Sequence, residues 1–390
     1  MLKAMILKKK LNIPLVILYI CATIIFIAAY LLAKPTPEPP LGATEYAEYE
    51  TATITTILSD STEADERSEN SYRGEQLLIA EVTSGQYKGQ SLQVSNYVGP
   101  LYSVPLEVGD SAVLIISTYA DGSHTGTVYE YNRFIPLAVV FTLFFIITVA
   151  VGGKTGLKSL IGLLITVLSL FYILIPALMK GAPTLLTTFL VCAYITVVSL
   201  ALLGGLQKKT ICAMLGTISG TALAMIFGLF SQSLLRIDGM RVNEAEALLQ
   251  LQQTGTPIGI RGLLAAGVII SALGAVMDVA MSISSALTEV HLANPRLSRL
   301  DLIRSGMNIG RDMVGTMTNT LVLALLGSSL VLIVYLYSLE LSAIQFLSSS
   351  YVSIEVISSI SSSAGVILAV PVTVLISSFA LTYNKEKSYH

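Results

Sequence analysis

Tryptophan is absent from this 390-residue chain, and charge is scarce, at 12% of residues. Any aromatic belt at a membrane boundary must therefore rest on Tyr and Phe. A formal net charge of -2 leaves no basic footprint for nucleic acid. The only cysteines, Cys21, Cys192 and Cys212, all fall inside apolar runs, so they read as small membrane-facing or packing residues. The long hydrophilic segment contains none, which excludes a disulfide there. The three histidines, His124, His291 and His390, are scattered, and none has a neighbour at metal-ligand spacing. No metal or cofactor is expected. No HExxH occurs, and no Ser/His pair lies within an apolar run. Gly152-Gly153-Lys154-Thr155 resembles only the tail of a P-loop, because the leading glycine position is Thr148 and no strand precedes it. An enzyme is not expected.

What the chain has in abundance is apolar length. Hydrophobic residues make up 53% of it. A run of about 18 uncharged apolar residues crosses a bilayer as a helix rising about 1.5 Å per residue. Eight such runs occur: Leu11–Ala33, Phe134–Val151, Ser159–Met179, Pro183–Leu206, Ile211–Leu235, Gly262–Thr288, Met313–Leu339 and Val356–Tyr383. The expected fold class is a mainly α membrane protein of about eight transmembrane helices, with a small extracytoplasmic β-rich domain. Leu11–Ala33 reads as an uncleaved anchor, since its apolar core is long and no small-x-small site precedes Lys34. Leu18-Tyr19-Ile20-Cys21 is a poor lipoprotein box because Ile20 replaces a small residue.

Loop charges orient these spans. Lys3, Lys8, Lys9 and Lys10 precede the first run and place the N-terminus in the cytoplasm. Eight crossings then put Lys154, Lys158, Lys208, Lys209, Arg296, Arg299, Arg304, Arg311, Lys385 and Lys387 inside. The short outer loops keep only Lys180, Arg236, Arg241 and Arg261. Three parts follow: residues 1–33, a cytoplasmic tail and anchor; 34–133, an outer linker and β-rich domain; and 134–390, a seven-helix region with a short cytoplasmic tail.

The outer segment opens with Pro35, Pro37, Pro39 and Pro40, a stiff extended spacer. Strand-like runs follow at Thr51–Leu58, Leu77–Thr83, Ser91–Ser95, Ala112–Thr118 and Thr125–Tyr131. Turn chemistry at Lys88-Gly89, Gly109-Asp110 and Asp121-Gly122 separates them. The pattern fits a small barrel, OB-like, or a sandwich. The acidic stretch from Asp60 to Glu69 reads as a flexible loop. Two amphipathic connectors remain. Asn243 is placed to cap a short outer helix, Glu244–Gln253. Ser298 and Asp301 resemble a capping box, after which Leu300, Ile303 and Met307 form one apolar face of an interfacial or coupling helix.

The sixth run carries Asp278, the one charge between Gly262 and Thr288. A carboxylate at the centre of a membrane helix costs roughly 2.5–3.5 kcal/mol on insertion scales, so it marks a functional or helix-joining position. Gly267, Ser271, Gly274, Asp278, Ser282, Ser285 and Glu289 follow helical steps of three and four. Small residues let another helix approach, which predicts an interhelical seam at Asp278. The seventh run answers with Asp312, Thr316 and Asn319, flanked by Thr318 and Thr320. Arg311 stands near the inner boundary, within reach of Glu289 or Asp312. Ser358, Ser359, Ser361, Ser362, Ser363, Gly365, Pro371 and Thr373 of the eighth run either complete a polar cavity or pack tightly, in a helix that Pro371 is expected to break or kink. The candidate transport or ion site comprises Asp278, Asn319, Asp312, Thr316, Ser282, Ser285 and Glu289.

Gly274–Thr288 (GAVMDVAMSISSALT) and Gly310–Gly327 (GRDMVGTMTNTLVLALLG) resemble the hallmark stretches of the YibE/F family, and the resemblance runs from about Val113 to Tyr383. It implies a bacterial plasma-membrane protein and carries over no substrate or catalytic residue. Gly216–Ala224 (GTISGTALA) also echoes Gly315–Ala324 (GTMTNTLVLA). The expected partners are the lipid bilayer, a small solute or ion, and a cell-envelope or membrane protein. The first reading is a transporter or permease. Its rival is a non-transporting scaffold or sensor whose outer domain binds an envelope partner.

Overall fold

The computed structural model describes residues 13–33, 47–118 except 67, 69 and 70, 124–237, and 245–386 except 254 and 256. The spacer prolines, the Asp121-Gly122 turn, Asn243 and Lys387 lie outside these. The chain is mostly helical and divides into two compact units, one of residues 37–150 and one of 1–36 with 151–390.

The smaller unit holds a five-strand barrel, consistent with the alternating apolar pattern of its strands. Its strands are β1 (Ala47–Asp60), β3 (Tyr72–Val82), β4 (Ser91–Val98), β5 (Ser111–Thr118) and β6 (His124–Tyr131), with a two-residue β2 (Glu63–Ala64) appended to β3. Every second side chain turns inward. Ala52 and Ile54, Leu78, Ala80 and Val82, and Ala112, Leu114 and Ile116 build the core, joined by Val94, Leu106 and Val128. The strand order is β1-β5-β6-β4-β3, and β1 closes on β3. The first half of β1 pairs with β5 and the second half with β3, with register shifts at Ile54/Thr56 and Ile57/Ser59 that bend the strand between its two partners. The pair β4–β6 is parallel and short, Val94 with Gly126 and Ser95 with Thr127. A β-carbon on Gly126 would stand 2.5 Å from Val94 Cγ1, so the closing strands meet only because residue 126 has no side chain. This closed order with one parallel pair is OB-like, not a sandwich.

A buried polar knot plugs the barrel. Gln76 donates to Asp60 Oδ2 at 2.8 Å and to the Leu106 carbonyl at 3.2 Å. Its own carbonyl accepts from Leu106 N–H and from Asn96 Nδ2, each at 2.9 Å. Residues 60–66 of the acidic stretch take up defined structure, contrary to the flexible-loop reading. β2 pairs Glu63 with Arg73 and Ala64 with Tyr72, and Arg73 bridges to Asp65 at 3.2 Å.

The helices are α1 (Ile13–Ala33), α2 (Phe134–Ser169), α3 (Ile175–Met179), α4 (Thr184–Gly204), α5 (Lys208–Leu235), α6 (Ala245–Gln253), α7 (Leu263–Ala293), α8 (Arg299–Ser328), α9 (Leu330–Ser338), α10 (Ala343–Ser348) and α11 (Ser350–Glu386). A π-helical turn, Leu170–Leu174, joins α2 to α3. Among the described residues six helices are long and apolar enough to cross a membrane, or seven if the pair α8 and α9, bent by 60°, counts as one. Gly153, at φ 54 and ψ -133, breaks α2 between two apolar stretches.

In the larger unit α11 is the central post, packed against α5, α7 and α8. Close approach sets this arrangement. A β-carbon on Gly216 would lie 2.2 Å from Thr373 Oγ1, and one on Gly365 2.5 Å from Ala224 Cβ. Ser361, Ser362 and Thr373 are fully buried at these seams, so the hydroxyls of α11 pack instead of lining a cavity. Pro371 sits inside a helix that continues unbroken to Glu386, where a broken one was an open expectation. The capping box at Ser298 and Asp301 is present, with Asp301 N–H donating to Ser298 Oγ at 3.2 Å. It opens no separate interfacial helix, for α8 runs without a break from Arg299 into the predicted span and ends at Ser328, short of the span's expected end at Leu339. Leu302 is its buried anchor, and Leu300 points away.

Candidate functional site

The two polar stripes read from the sequence exist, and they face outward. On α7 the residues that meet other helices are apolar: Ala272, Val276, Val279, Ile283 and Leu287 form a core with Ala369, Val370 and Val374 of α11. Gly267, Gly274, Asp278, Ser282 and Glu289 occupy the remaining face and are exposed, while Ser271 and Ser285 are half-buried. The seam expected at Asp278 is therefore a surface. Branched side chains fill the contact, and the small residues leave an open face beside it. Met313, Met317 and Leu321 of α8 pack against the same core, whereas Asp312, Gly315, Thr316, Asn319 and Thr320 are exposed.

Two glycines fix the relative level of α7 and α8. A β-carbon on Gly306 would lie 3.0 Å from Leu287 Cδ1, and one on Gly310 would lie 3.6 Å from Ile283 Cδ1. The helices run antiparallel, so each step along one is a step back along the other. This register sets Asp278 level with Gly315 and Thr316, Ser282 with Asp312, and Gly274 with Asn319. The candidates Asp278, Ser282, Asp312, Thr316 and Asn319 thus share one band, and Ser285 and Glu289 lie toward the Arg299 end of α8. Gly267 and Gly274 on α7, and Gly315 and Gly327 on α8, have nothing within 4 Å of where a β-carbon would be.

Among the described residues Asp278 has no hydrogen-bond or ion-pair partner. Thr316 gives its hydroxyl proton to the Met313 carbonyl at 3.1 Å, and Thr320 gives its own to the Thr316 carbonyl at 2.9 Å. The groups on this band with unspent capacity are thus the Asp278 and Asp312 carboxyls, the Ser282 hydroxyl and the Asn319 amide. Arg311 pairs with neither Glu289 nor Asp312, and instead donates to Asn308 Oδ1 at 3.3 Å. Ser271 and Ser362 share a hydrogen bond of 2.6 Å, which pins α7 to α11 one turn from Gly274.

Sequence reasoning missed two features. Gly315 stands opposite Asp278, and only its small-residue spacing marks that position in the sequence. In the barrel, Tyr97, Tyr129 and Tyr102 line an open cleft of about 370 Å³ with Leu101, Ser103, Ile115, Val128 and Glu130. Single exposed tyrosines, Tyr97 on β4 and Tyr129 on β6, gave no periodic signal for it. The described residues hold no group of three or more His, Cys, Asp or Glu suited to a metal ion.

Long apolar helices around a packed central post, with a small barrel beside them in the chain, define a multi-helix membrane protein. The chain belongs to the YibE/F-like protein family, whose pattern it matches over residues 140–383. The matched region contains every candidate site residue. No curated protein and no solved structure matches the chain.

Proposed function

We propose that this protein is a transporter or permease for a small solute or ion in a bacterial plasma membrane, with Asp278 as the group that takes up a proton or cation. The observation that carries this reading is the open, unpaired Asp278 carboxyl on a helix long and apolar enough to span. A carboxyl held only as helix glue would have a partner within the bundle. The proposed topology has eight spans and both termini in the cytoplasm. The break at Gly153 supports dividing residues 134–179 into two spans, and the bent pair α8–α9 supports counting them as one. The barrel then lies outside the cytoplasm, and the chain divides at about residues 33 and 133. No chemical catalysis is assigned to it.

The test is flux into proteoliposomes loaded with a pH dye or a sodium dye under an imposed membrane potential. Wild type should admit protons or Na⁺ several-fold faster than protein-free vesicles, and Asp278→Asn should fall to the vesicle background. Equal rates for the two proteins, or no flux of either ion, would count against the assignment of Asp278.

A second reading, a scaffold or sensor whose barrel binds an envelope partner, is favoured by the tyrosine-lined cleft. Tyr102 is 76% exposed and Leu101 92%, more than a barrel needs for its own stability. Binding by the barrel with no flux through the helices would select this reading.

A further inference from the structure

We propose that two turns of the barrel, Gly99–Tyr102 and Glu107–Asp110, rest on the lipid headgroups of the leaflet that α2 enters. The partner is the bilayer surface itself. The inference goes beyond the transport reading and needs only that α2 enters the membrane at Phe134. That helix is apolar, and every residue from Phe134 to Ile147 is exposed, as a lipid-facing segment is.

Strand direction puts both turns at this boundary. β4 and β6 run parallel, with Val94 opposite Gly126 and Ser95 opposite Thr127. The same steps bring Gly99 level with Tyr131. Phe134 follows three residues later, at most about 11 Å along the chain. The second turn leads directly into β5 at Ser111. Asn132 N–H donates to the Ser111 carbonyl at 2.9 Å, and the Asn132 amide donates to Ser111 Oγ at 3.0 Å. Asn132 Oδ1 also accepts from Phe134 N–H at 3.1 Å, and Arg133 pairs with Glu130. Side chains thus tie this end of the barrel to the first turn of α2.

Hydrophobicity is distributed to match. Leu101 at 92% exposed, Tyr102 at 76% and Val108 at 61% are the three most exposed large hydrophobics among the described residues of the barrel, and all stand on these two turns. The opposite end, at the β3–β4 turn, presents Ser84, Gln86, Lys88 and Gln90, and turns its aromatic ring, Tyr87, inward. The two apolar turns are also held firmly. Gly99 N–H donates to the Ser103 carbonyl at 3.3 Å, Tyr102 N–H to the Gly99 carbonyl at 3.0 Å, and Gly109 N–H to the Ile54 carbonyl at 2.8 Å. Exposed apolar groups fixed in this way mark contact with a membrane or a protein, and the covalent join to α2 selects the membrane. Tyrosine suits a headgroup layer, because its ring is apolar and its hydroxyl stays wet. No charge occurs from Gly89 to Leu106. Glu107 and the Glu63–Ala64 strand with Asp65 and Glu66, which pairs with the start of β3 at this same end, limit the contact to the headgroup layer.

The absence of Trp from the chain supplies the test. The full chain carrying Leu101→Trp is reconstituted in nanodiscs of phosphatidylcholine with bromine on the acyl chains near the ester end, near the methyl end, or absent. Emission then reads residue 101 alone. Bromine near the ester end should cut it by at least a third, and bromine near the methyl end should cut it less. Lys88→Trp, at the opposite end of the barrel, should be unaffected by either. Tyr102→Trp reads the same turn and repeats the test should Leu101→Trp fail to fold. Emission unchanged by bromine would place the turn in water, and blue-shifted emission unchanged by bromine would mean that a protein covers it. Equal quenching of Lys88→Trp would mean that the barrel lies on its side. Each of these results overturns the proposal. Quenching reports depth, not flux or sidedness, so the outcome is independent of the transport reading and of the eight-span topology.

Discussion

Gly310 of α8 lies so close to Val370 of α11 that a β-carbon on it would stand 2.2 Å from Val370 Cγ1. Five residues further along the same helix, Gly315 faces empty space. The two glycines divide α8 into a packed flank and an open flank. Gly310→Leu should destabilise the bundle, since overpacking a filled seam typically costs about 1–3 kcal/mol. Gly315→Leu should leave the protomer's thermal unfolding in detergent within experimental error. If both variants melt alike, the division of α8 is wrong.

Asp278→Leu should express and insert at wild-type level. The carboxyl has no internal partner to abandon, and an apolar side chain suits an exposed position on a membrane helix. The check is protein level and a melt in detergent. A loss of expression in Asp278→Leu would reveal a hidden partner in the bundle, in which case flux data on Asp278→Asn would need rereading.

Closure of the barrel depends on residue 126. Gly126→Val places a branched side chain where a single β-carbon already approaches Val94 to 2.5 Å, and should open the parallel β4–β6 pair. A fragment of residues 45–132 should show a β-type circular dichroism spectrum and a cooperative melt, and Gly126→Val should abolish the cooperativity. A disordered wild-type fragment would show instead that the barrel needs the rest of the chain.

The barrel should also be acid-sensitive at Asp60. Hydrogen bonds from the Thr62 hydroxyl at 2.6 Å, the Gln76 amide at 2.8 Å and the Thr62 N–H at 2.8 Å hold this carboxyl below its ordinary range. A depressed folded-state value means the stabilisation is complete above the unfolded value of about 3.9 and is lost as pH falls through the folded one. Asp60→Asn should therefore flatten the acid limb of the melting curve below about pH 4. An unchanged acid limb would mean that Asp60 is not the titrating group.

Topology is checked by thiol labelling of intact cells. A cysteine replacing Ser68 should react with an impermeant maleimide from outside, and one replacing Arg296, which is exposed in the α7–α8 turn, should react only after lysis. Labelling of both positions in intact cells would invalidate the proposed orientation.

Much of this architecture was legible because its signals are local. Alternation at Ala52 and Ile54 or Leu78, Ala80 and Val82 marks strands whatever they pair with, and the Ser298–Asp301 box marks a helix start. The stripe through Asp278 was equally legible as a periodicity. What it faces was not, because smallness serves a tight seam and an open groove alike. Only the distribution of branched partners, Val276 and Ile283 against Val370 and Val374, decides between them, and that is a property of three helices together. The short β2 strand was missed for a related reason. Glu63 and Ala64 have no strand propensity of their own and are held by Arg73 and Tyr72.

The attachment of α1 has a bearing on how this chain can vary. Lys180 Nζ donates to the Leu32 carbonyl at 2.8 Å, and Tyr194 Oη to the Ala22 carbonyl at 3.2 Å. Both acceptors belong to the main chain, so these two grips read the presence of a helix and not the identity of its side chains. Mutational drift should be tolerated at the exposed positions of α1, such as Ile20, Ile24 and Ile27, wherever apolar character is kept, whereas Tyr19, Ala22, Phe26 and Tyr30 pack on the bundle and are constrained. A foreign apolar helix grafted in place of α1 should keep these two bonds if it also keeps small or matching side chains at positions 22, 26 and 30.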